Sequence, residues 1–108
     1  MNRGDIFWVE IPSRNPKGTE IAKTRPCIVV GAAALNKVRS TVLMVPLTSN
    51  NKPYPPISIS MRSVGLGSVA ICDQLLAVDK SRIKNIAGSI TDDELDALDQ
   101  SLKQILGL

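Results

Sequence analysis

Hydrophobic residues fall along this chain in short runs separated by turn-forming residues, a pattern that predicts a fold made mainly of β-strands. Residues 6–11 are dense in β-forming side chains and stop at Pro12. Residues 25–30 and 41–47 are continuous apolar runs, which predicts strands buried on both faces of a closed or strongly bent sheet. Residues 57–61 alternate apolar and polar side chains, as in a strand with one wet face. Shorter strands are predicted at 68–73 and 84–89.

The segments between these runs carry turn signals. Residues 12–23 include two prolines, a glycine and several polar residues, which predicts an exposed loop, and loops of this length in a compact domain are often functional. Residues 33–37 are expected to form a helical turn. The sequence Gly65-Leu66-Gly67 predicts a turn or bulge.

The C-terminal segment has the pattern of an amphipathic helix. Thr91 and Glu94 are the two ends of a capping-box sequence, Ile90 stands where it can pack onto Leu95, and Gly107 is a stop signal. Acidic residues in the first turn complement the helix dipole, which explains most of the acidic cluster here. The apolar residues that recur on one face are Leu95, Leu98, Leu102 and Ile105.

Length and composition fit one globular domain. The 108 residues are 44% hydrophobic and 21% charged, which argues against a disordered tail and against a multidomain enzyme. We therefore expect residues 1–108 to form a single mainly β domain, an open or closed antiparallel barrel over about 1–90 with one packed helix over about 91–107.

The residue counts exclude several kinds of site. Without histidine the chain cannot use Ser-His-Asp or Cys-His catalysis or a His-ligated metal, and Cys27 and Cys72 cannot make a four-thiolate zinc site. Both cysteines have apolar neighbours, which predicts reduced, buried thiols. The start of the chain does not look like a signal peptide, and no apolar run approaches the ~20 residues of a membrane span. We expect a cytoplasmic protein without membrane contact.

Charge is unevenly distributed along the chain. Residues 1–90 carry 12 Lys and Arg against 5 Asp and Glu, or +7, while residues 91–108 carry 1 against 5, or −4. The positive charge of residues 1–90 is explained equally well by a solvated surface and by a face that binds a polyanion. Aromatic residues are limited to Phe7, Trp8 and Tyr54, which are too few to form a surface on which bases stack. Any binding of nucleic acid should therefore rely mainly on polar contacts.

Several short motifs together resemble the MazF/PemK toxin family over nearly the whole chain. Each is weak alone, and Arg3-Gly4-Asp5 by itself indicates a turn in which Asp5 accepts from backbone amides rather than an adhesion signal. In order they are Arg3-Gly4-Asp5-Ile6 with Trp8, Thr24-Arg25-Pro26, Val45-Pro46-Leu47-Thr48-Ser49, Cys72-Asp73-Gln74 and Asp79-Lys80-Ser81-Arg82.

The resemblance implies an SH3-like antiparallel barrel that forms a homodimer, with a basic groove for single-stranded RNA. It implies the toxin of a type II toxin–antitoxin system, an endoribonuclease that cleaves mRNA sequence-selectively without a metal or other cofactor. In such enzymes the RNA 2′-hydroxyl attacks, leaving a cyclic phosphate and a 5′-hydroxyl. The C-terminal segment of a cognate antitoxin would cover the RNA groove, and operator DNA would be bound only through the toxin–antitoxin complex.

The family's catalytic pair falls on Arg25 and Thr48. Pro26 restrains Arg25 to an extended backbone, and the guanidinium would hold the scissile phosphate and stabilise the transition state, since an arginine gives up a proton only at high cost. Thr48 would orient the phosphate or the 2′-hydroxyl. The alternatives are a surface arginine paired with Glu20 or Asp73, and a strand-end threonine that only satisfies the backbone.

The identity of the general base stays open between Glu20 and Asp73. Either carboxylate could accept the 2′-hydroxyl proton if burial raised its pKa. Asp73 could equally be a structural acceptor or a reader of a base edge. One branch of the family uses a loop histidine and an arginine two residues before the aspartate. Thr19 and Ile71 stand at those places here, so that version of the mechanism is excluded.

Further residues are candidates for contacts with RNA. Those expected to contact phosphates are Lys17, Lys23, Lys80 and Arg82, although a solvated lysine explains any one of them as well. Those expected to bond base edges are Asn36, Ser49 and Gln74. Two other functions remain open: a non-enzymatic toxin resembling CcdB that binds DNA gyrase, and a nucleic-acid-binding barrel without catalysis.

Overall fold

The computed structural model describes residues 1–11, 23–49, 52–65 and 67–108. These parts form a strongly bent antiparallel sheet with a C-terminal helix packed against it. None of the described helices is both long enough and apolar enough to cross a membrane. The helices are α1 (Ala33–Val38) and α2 (Asp92–Leu106). The strands are β1 (Asp5–Ile11), β2 (Lys23–Val29), β3 (Thr41–Thr48), β4 (Ser58–Ser60), β5 (Val69–Ile71), β6 (Leu76–Asp79) and β7 (Ile83–Ser89).

Strand β3 lies at the centre of the sheet and changes neighbours along its length. Residues 41–44 pair with β6, whereas Leu47 and Thr48 pair with β5. On its other edge β3 pairs with β2, which is followed by β1 and then β7. A 3-10 turn, Lys80–Arg82, carries the chain from β6 on one side to β7 on the other. The sheet therefore bends into the barrel-like shape that the sequence predicted.

Alternation along the central strands sends side chains into two cores. Cys27 and Val29 face one core, and Ile28 between them faces the other. The interior cluster contains Val9, Cys27, Val29, Val42, Met44 and Val78. The outer cluster, between the sheet and α2, contains Ile6, Ile28, Val45, Leu47, Ile59, Met61, Ala70, Cys72, Ile90, Leu98 and Leu102. The two central strands are thus buried on both faces, as their continuous apolar runs predicted.

Local sequence signals define helix α2 as predicted. The Thr91 hydroxyl accepts from the backbone N–H of Glu94 at 3.1 Å, and the Glu94 carboxylate accepts from the backbone N–H of Thr91 at 2.9 Å, so the capping box is formed. Gly107 ends the helix with a φ of 72°. Glu94 also accepts from the backbone N–H of Ser63 at 3.1 Å, which ties the helix to the β4–β5 turn. No local pattern indicated that second link.

Partial burial raises the pKa of the Glu94 carboxyl, but hydrogen bonds outweigh it. The donors are the side chains and backbone N–H groups of Ser63 and Thr91, which favour the charged form. The pKa of Glu94 therefore lies below its ordinary value.

The predicted strands were placed correctly in the main, with two differences. Residues 72–74 are not the end of a strand but a 3-10 turn, because β5 already ends at Ile71. Strand β6 was not predicted, since it has only four residues and acquires its partner from a distant part of the chain, β3. The helical turn predicted at 33–37 is α1.

Cys27 and Cys72 are both free and buried, as their apolar neighbours predicted. Burial raises the pKa of each thiol to about 11. The nearby Arg25 partly opposes this effect at Cys27, whereas Asp73 adds to it at Cys72. Thiols so rarely ionised are poor nucleophiles, so we assign both cysteines to the core.

Candidate active site

Two prolines end the pairing between β2 and β3. The ladder runs from the pair Val29 and Met44 to the pair Cys27 and Pro46, and stops there. Proline has no N–H to donate, and Pro26 stands at the next position of β2. Beyond this point, among the described residues, β3 keeps a partner only on its other edge, where Leu47 and Thr48 pair with β5. The first residues of β2 and the last residues of β3 therefore lie beyond the paired part of this ladder, and we call this unpaired stretch the opening.

Arg25 and Thr48 flank that opening. Extending the β2–β3 register two residues past Cys27 and Pro46 places Arg25 opposite Thr48. The same spacing puts both on the face of the sheet that carries the interior cluster, because side chains alternate along a strand. Arg25 is exposed and Thr48 is half-buried. The structure thus brings the two residues of the predicted catalytic pair to one end of the barrel, within reach of solvent.

Positive charge gathers at the same end. Val9 in β1 pairs with Arg25 on one side and with Ile83 on the other, so the start of β7 lies two strands away from β2, about 10 Å. Lys23 precedes Arg25 on the same face and is exposed, and Arg82 directly precedes Ile83. We call Lys23, Arg25, Thr48 and Arg82 the rim cluster. Its three cations suit the backbone of a nucleic acid.

Two other side chains border the rim cluster. Trp8 pairs with Pro26 and is 42% exposed, so an indole face stands open to solvent one position from Arg25, on the other face of the sheet. The small number of aromatic residues gave no hint of this placement. The feature that could have located Trp8 is its outward-facing position in β1, where it pairs with Pro26. Glu10, one residue beyond Val9, lies with its carboxylate 3.8 Å from the ammonium of Lys84.

Asp73, Gln74 and Ser49 are exposed, as expected for residues that contact a ligand. Ser49 follows Thr48 directly. Asp73 and Gln74 lie in the 3-10 turn after β5, and Asp73 is four residues beyond Val69, the partner of Thr48. Asp73 also lies on the β5 side of β3, whereas Arg25 lies on the β2 side.

The prediction for Asn36 is wrong, and Lys80 lies close to Arg82, in the same 3-10 turn, but far from Thr48. Asn36 is buried, and its amide donates to the carbonyl oxygens of Met1 at 3.1 Å and Gly31 at 3.0 Å, so it holds the backbone together and is not free to read a base. The backbone N–H of Lys80 donates to the carbonyl of Ser40, just before β3. Seven steps along that strand separate this end from Thr48, ~23 Å.

Two predicted site residues, Lys17 and Glu20, lie outside the described residues. Within the described ranges, no three His, Cys, Asp or Glu side chains come close enough together to hold a metal ion.

The Arg-Gly-Asp segment is structural. Asp5 accepts from the backbone N–H of Asn2 at 2.9 Å, which confirms the predicted turn. Arg3 donates to the carbonyl of Val30 at 2.8 Å and forms an ion pair with Asp99 of α2. The hydrogen bond to Asp99 raises the pKa of Arg3. This segment therefore anchors the helix on the sheet and takes no part in the rim cluster.

Comparison with known proteins points to one family. A model of the family described as PemK-like, MazF-like toxin of type II toxin–antitoxin system matches residues 2–106. The chain is 27% identical over 105 residues to the endoribonuclease toxin MazF of Escherichia coli K12. This alignment covers 96% of this chain and 92% of that protein.

Solved structures agree with this assignment. A MazE–MazF complex from Deinococcus radiodurans superposes with a TM-score of 0.84 at 25% identity, covering 100% of this chain and 96% of that one. A mycobacterial endoribonuclease in complex with its cognate antitoxin superposes with a TM-score of 0.80 at 20% identity, covering 100% and 96% of the two chains. At that lower identity the likeness shows the fold alone.

Proposed function

The chain belongs to the PemK-like, MazF-like family of type II toxin endoribonucleases, and from that premise we propose that it cleaves single-stranded mRNA at the rim cluster without a metal ion. The observation that supports this proposal is the end of the β2–β3 ladder at Cys27 and Pro46, because extending that register by two residues puts Arg25 opposite Thr48. A phosphate in this opening can contact a guanidinium and a hydroxyl at once. Lys23 and Arg82 stand on the same end to hold the flanking phosphates.

The proposed reaction is an internal transfer within the RNA. The 2′-hydroxyl oxygen attacks the adjacent phosphorus, its proton passes to a carboxylate, and the bond from phosphorus to the 5′-oxygen breaks. The leaving oxygen takes a proton from solvent, which gives a cyclic phosphate and a 5′-hydroxyl. Arg25 stabilises the added negative charge through a bidentate contact, and Thr48 orients the attacking group.

The proton acceptor in this scheme is Glu20 or Asp73. Asp73 and Gln74 are exposed and follow β5, the strand that pairs with Thr48, so Asp73 has two candidate roles: to accept the proton or, with Gln74, to bond an exposed nucleobase. Rate profiles against pH for Glu20→Gln and Asp73→Asn separate the two roles. The variant that loses the fall in rate at low pH has lost the general base. A variant that keeps this pH dependence but cuts at a different RNA sequence has lost a contact with a nucleobase.

The direct test is cleavage of a long single-stranded RNA in excess EDTA by the wild type, Arg25→Ala and Thr48→Val. Arg62→Ala is the matched control, because Arg62 is an exposed arginine in the β4–β5 turn. We expect discrete cuts with cyclic phosphate ends from the wild type and the control. Arg25→Ala should be slower by about 100-fold or more, as when one transition-state donor is removed.

Several outcomes would refute this proposal. Intact RNA with folded wild-type protein would exclude metal-independent cleavage, and a measured complex with gyrase would then favour the CcdB-like alternative. Binding of RNA that weakens in Arg25→Ala, with no product from either protein, would favour a barrel that binds without catalysis. Cleavage at an equal rate by the wild type and Arg25→Ala would remove Arg25 from the reaction.

We also propose that this chain forms a homodimer and binds a cognate antitoxin whose C-terminal segment covers the rim cluster. The solved complexes of related toxins with antitoxins support the second point. Operator DNA would be bound only by that complex, and the site of action would be the cytoplasm. Light scattering across a dilution series tests the dimer. Competition between antitoxin peptide and RNA, lost in Arg25→Ala, tests where the segment lies.

A further inference from the structure

A cavity of about 360 Å³ lies where β3 begins, at the opposite end of that strand from Thr48, and Lys80 in its lining stands two residues before Arg82. This volume falls within the roughly 300–1,000 Å³ of small-molecule sites. The ~23 Å from this end of β3 to Thr48 spans a few nucleotides of extended single-stranded RNA. The residues that line the cavity are Met1, Asn2, Ala33, Asn36, Lys37 and Lys80.

Hydrogen bonds from the buried Asn36 hold the wall of this cavity in place. Asn36 is 6% exposed and its amide donates to the carbonyl oxygens of both Met1 and Gly31. A Cβ on Gly31 would lie 2.9 Å from the Asn36 Oδ1 atom, so only glycine leaves this amide undisturbed. The N-terminal segment and α1 are thereby locked against each other, which shapes the cavity before any ligand arrives.

The cavity is positively charged. Lys37 and Lys80 line it, and among the described residues neither forms an ion pair. Arg39, at the end of α1, is exposed on the same corner. The carboxylate of Asp79 accepts from the backbone N–H and hydroxyl of Ser81 and is thus engaged within its own turn.

We propose that this cavity is a second RNA site, which holds a nucleotide a few residues along the strand from the scissile phosphate. Lys37 and Lys80 bind its phosphate, and the apolar atoms of Met1 and Ala33 give its base or sugar a surface to lie on. The inference rests on the proposed function, because the occupant is the same RNA strand. Its consequence is that long RNA binds more tightly than RNA confined to the cleavage site, with no change in the chemical step.

The test compares two RNAs that share one mapped cut site, a short one confined to that site and a long one that extends well beyond it on both sides. The variant is Lys37→Gln/Lys80→Gln. Its matched control is Arg62→Gln/Lys103→Gln, which removes the same charge from the β4–β5 turn and α2. We expect the first variant alone to raise KM for the long RNA about 10-fold with kcat unchanged, and to leave cleavage of the short RNA as it was.

Binding supplies a second measurement that does not depend on cleavage. The probe is the long RNA with a 2′-deoxy nucleotide at the cut site, followed by fluorescence anisotropy over a salt series. Loss of two phosphate contacts should reduce the slope of log K against log salt by about 1.4.

The proposal is overturned if Lys37→Gln/Lys80→Gln matches its control on the long RNA in both KM and salt slope, while the wild type still cuts. That result would leave the proposed function intact. If the wild type cuts neither RNA, the proposed function fails, and the salt slope still decides whether these lysines contact RNA. If the variant weakens only the binding of an antitoxin peptide, the cavity belongs to a protein partner and the RNA site is wrong.

Discussion

The hydrogen bond between Glu94 and the β4–β5 turn allows a prediction of how much stability the protein loses when Glu94 is replaced. In Glu94→Ala, α2 loses the carboxylate half of its capping box, and the backbone N–H of Ser63 loses its acceptor. An N-cap contributes about 1 kcal/mol, and a hydrogen bond to a charged group contributes about 1.5–3 kcal/mol when buried. Glu94 is half-exposed, so water replaces part of the lost hydrogen bonding. We therefore expect the free energy of unfolding to fall by about 1–2 kcal/mol.

Thermal unfolding measures this loss. For a chain of this size each kcal/mol corresponds to ~4 °C, so Tm should fall by about 4–8 °C at fixed protein concentration. Asp93→Ala is the matched control, because it removes the same charge from the first helical turn but not the bonds to Ser63. Its effect should be limited to the dipole contribution, about 0.3–1 kcal/mol. Equal falls in Tm for the two variants would refute the assignment.

The effect of Glu94 also depends on pH. The folded-state pKa lies below the ordinary value, so the charged carboxylate stabilises the fold at pH values above the unfolded-state pKa. As pH falls through the lowered folded-state pKa, that contribution disappears. The Tm difference between the wild type and Glu94→Ala should therefore be largest near neutral pH and shrink below about pH 4. A difference that grows on acidification would contradict this reasoning.

Three further predictions concern other parts of the molecule. Arg25→Lys keeps the charge but loses the guanidinium fork, so kcat for RNA cleavage should fall about 10–100-fold, and an unchanged kcat would argue against a bidentate contact. Cys27 and Cys72, with pKa values of about 11, should react with a thiol reagent at pH 8 at least about 100-fold more slowly in the native protein than in denaturant. Gly31→Ala should lower stability by about 1–3 kcal/mol because of the contact with Asn36, and the loss should diminish in an Asn36→Ser background; an equal loss in both backgrounds would show that the contact is not the cause.

Local patterns were sufficient for the elements whose causes are local. The capping box at Thr91 and the stop at Gly107 act within a few residues, so the sequence defined α2 closely. The apolar runs of β2 and β3 predicted burial on both faces, because only a strand between two cores tolerates such a run. The motifs around Arg25 and Thr48 predicted the family, which the comparisons confirmed.

Features that depend on distant partners needed the tertiary structure. Strand β6 is too short to signal itself and exists because β3 offers it a free edge. Asn36 looked like a polar residue for base recognition, yet the fold closes over it and gives its amide two backbone carbonyls. Asp73 was a candidate neighbour of the catalytic pair, and only the strand order shows that β5, which leads to it, pairs with Thr48 on the opposite edge of β3 from β2.

The sequence by itself determined most of the strands, the C-terminal helix and the catalytic pair of the rim cluster, because periodicity, prolines and caps act over a few positions. The tertiary structure decided which of those residues meet. Pro26 and Pro46 could each be read as strand breakers, but only the β2–β3 register shows that they end one ladder and leave Arg25 opposite Thr48. Register is set by packing across the whole sheet, and no local stretch of sequence contains it.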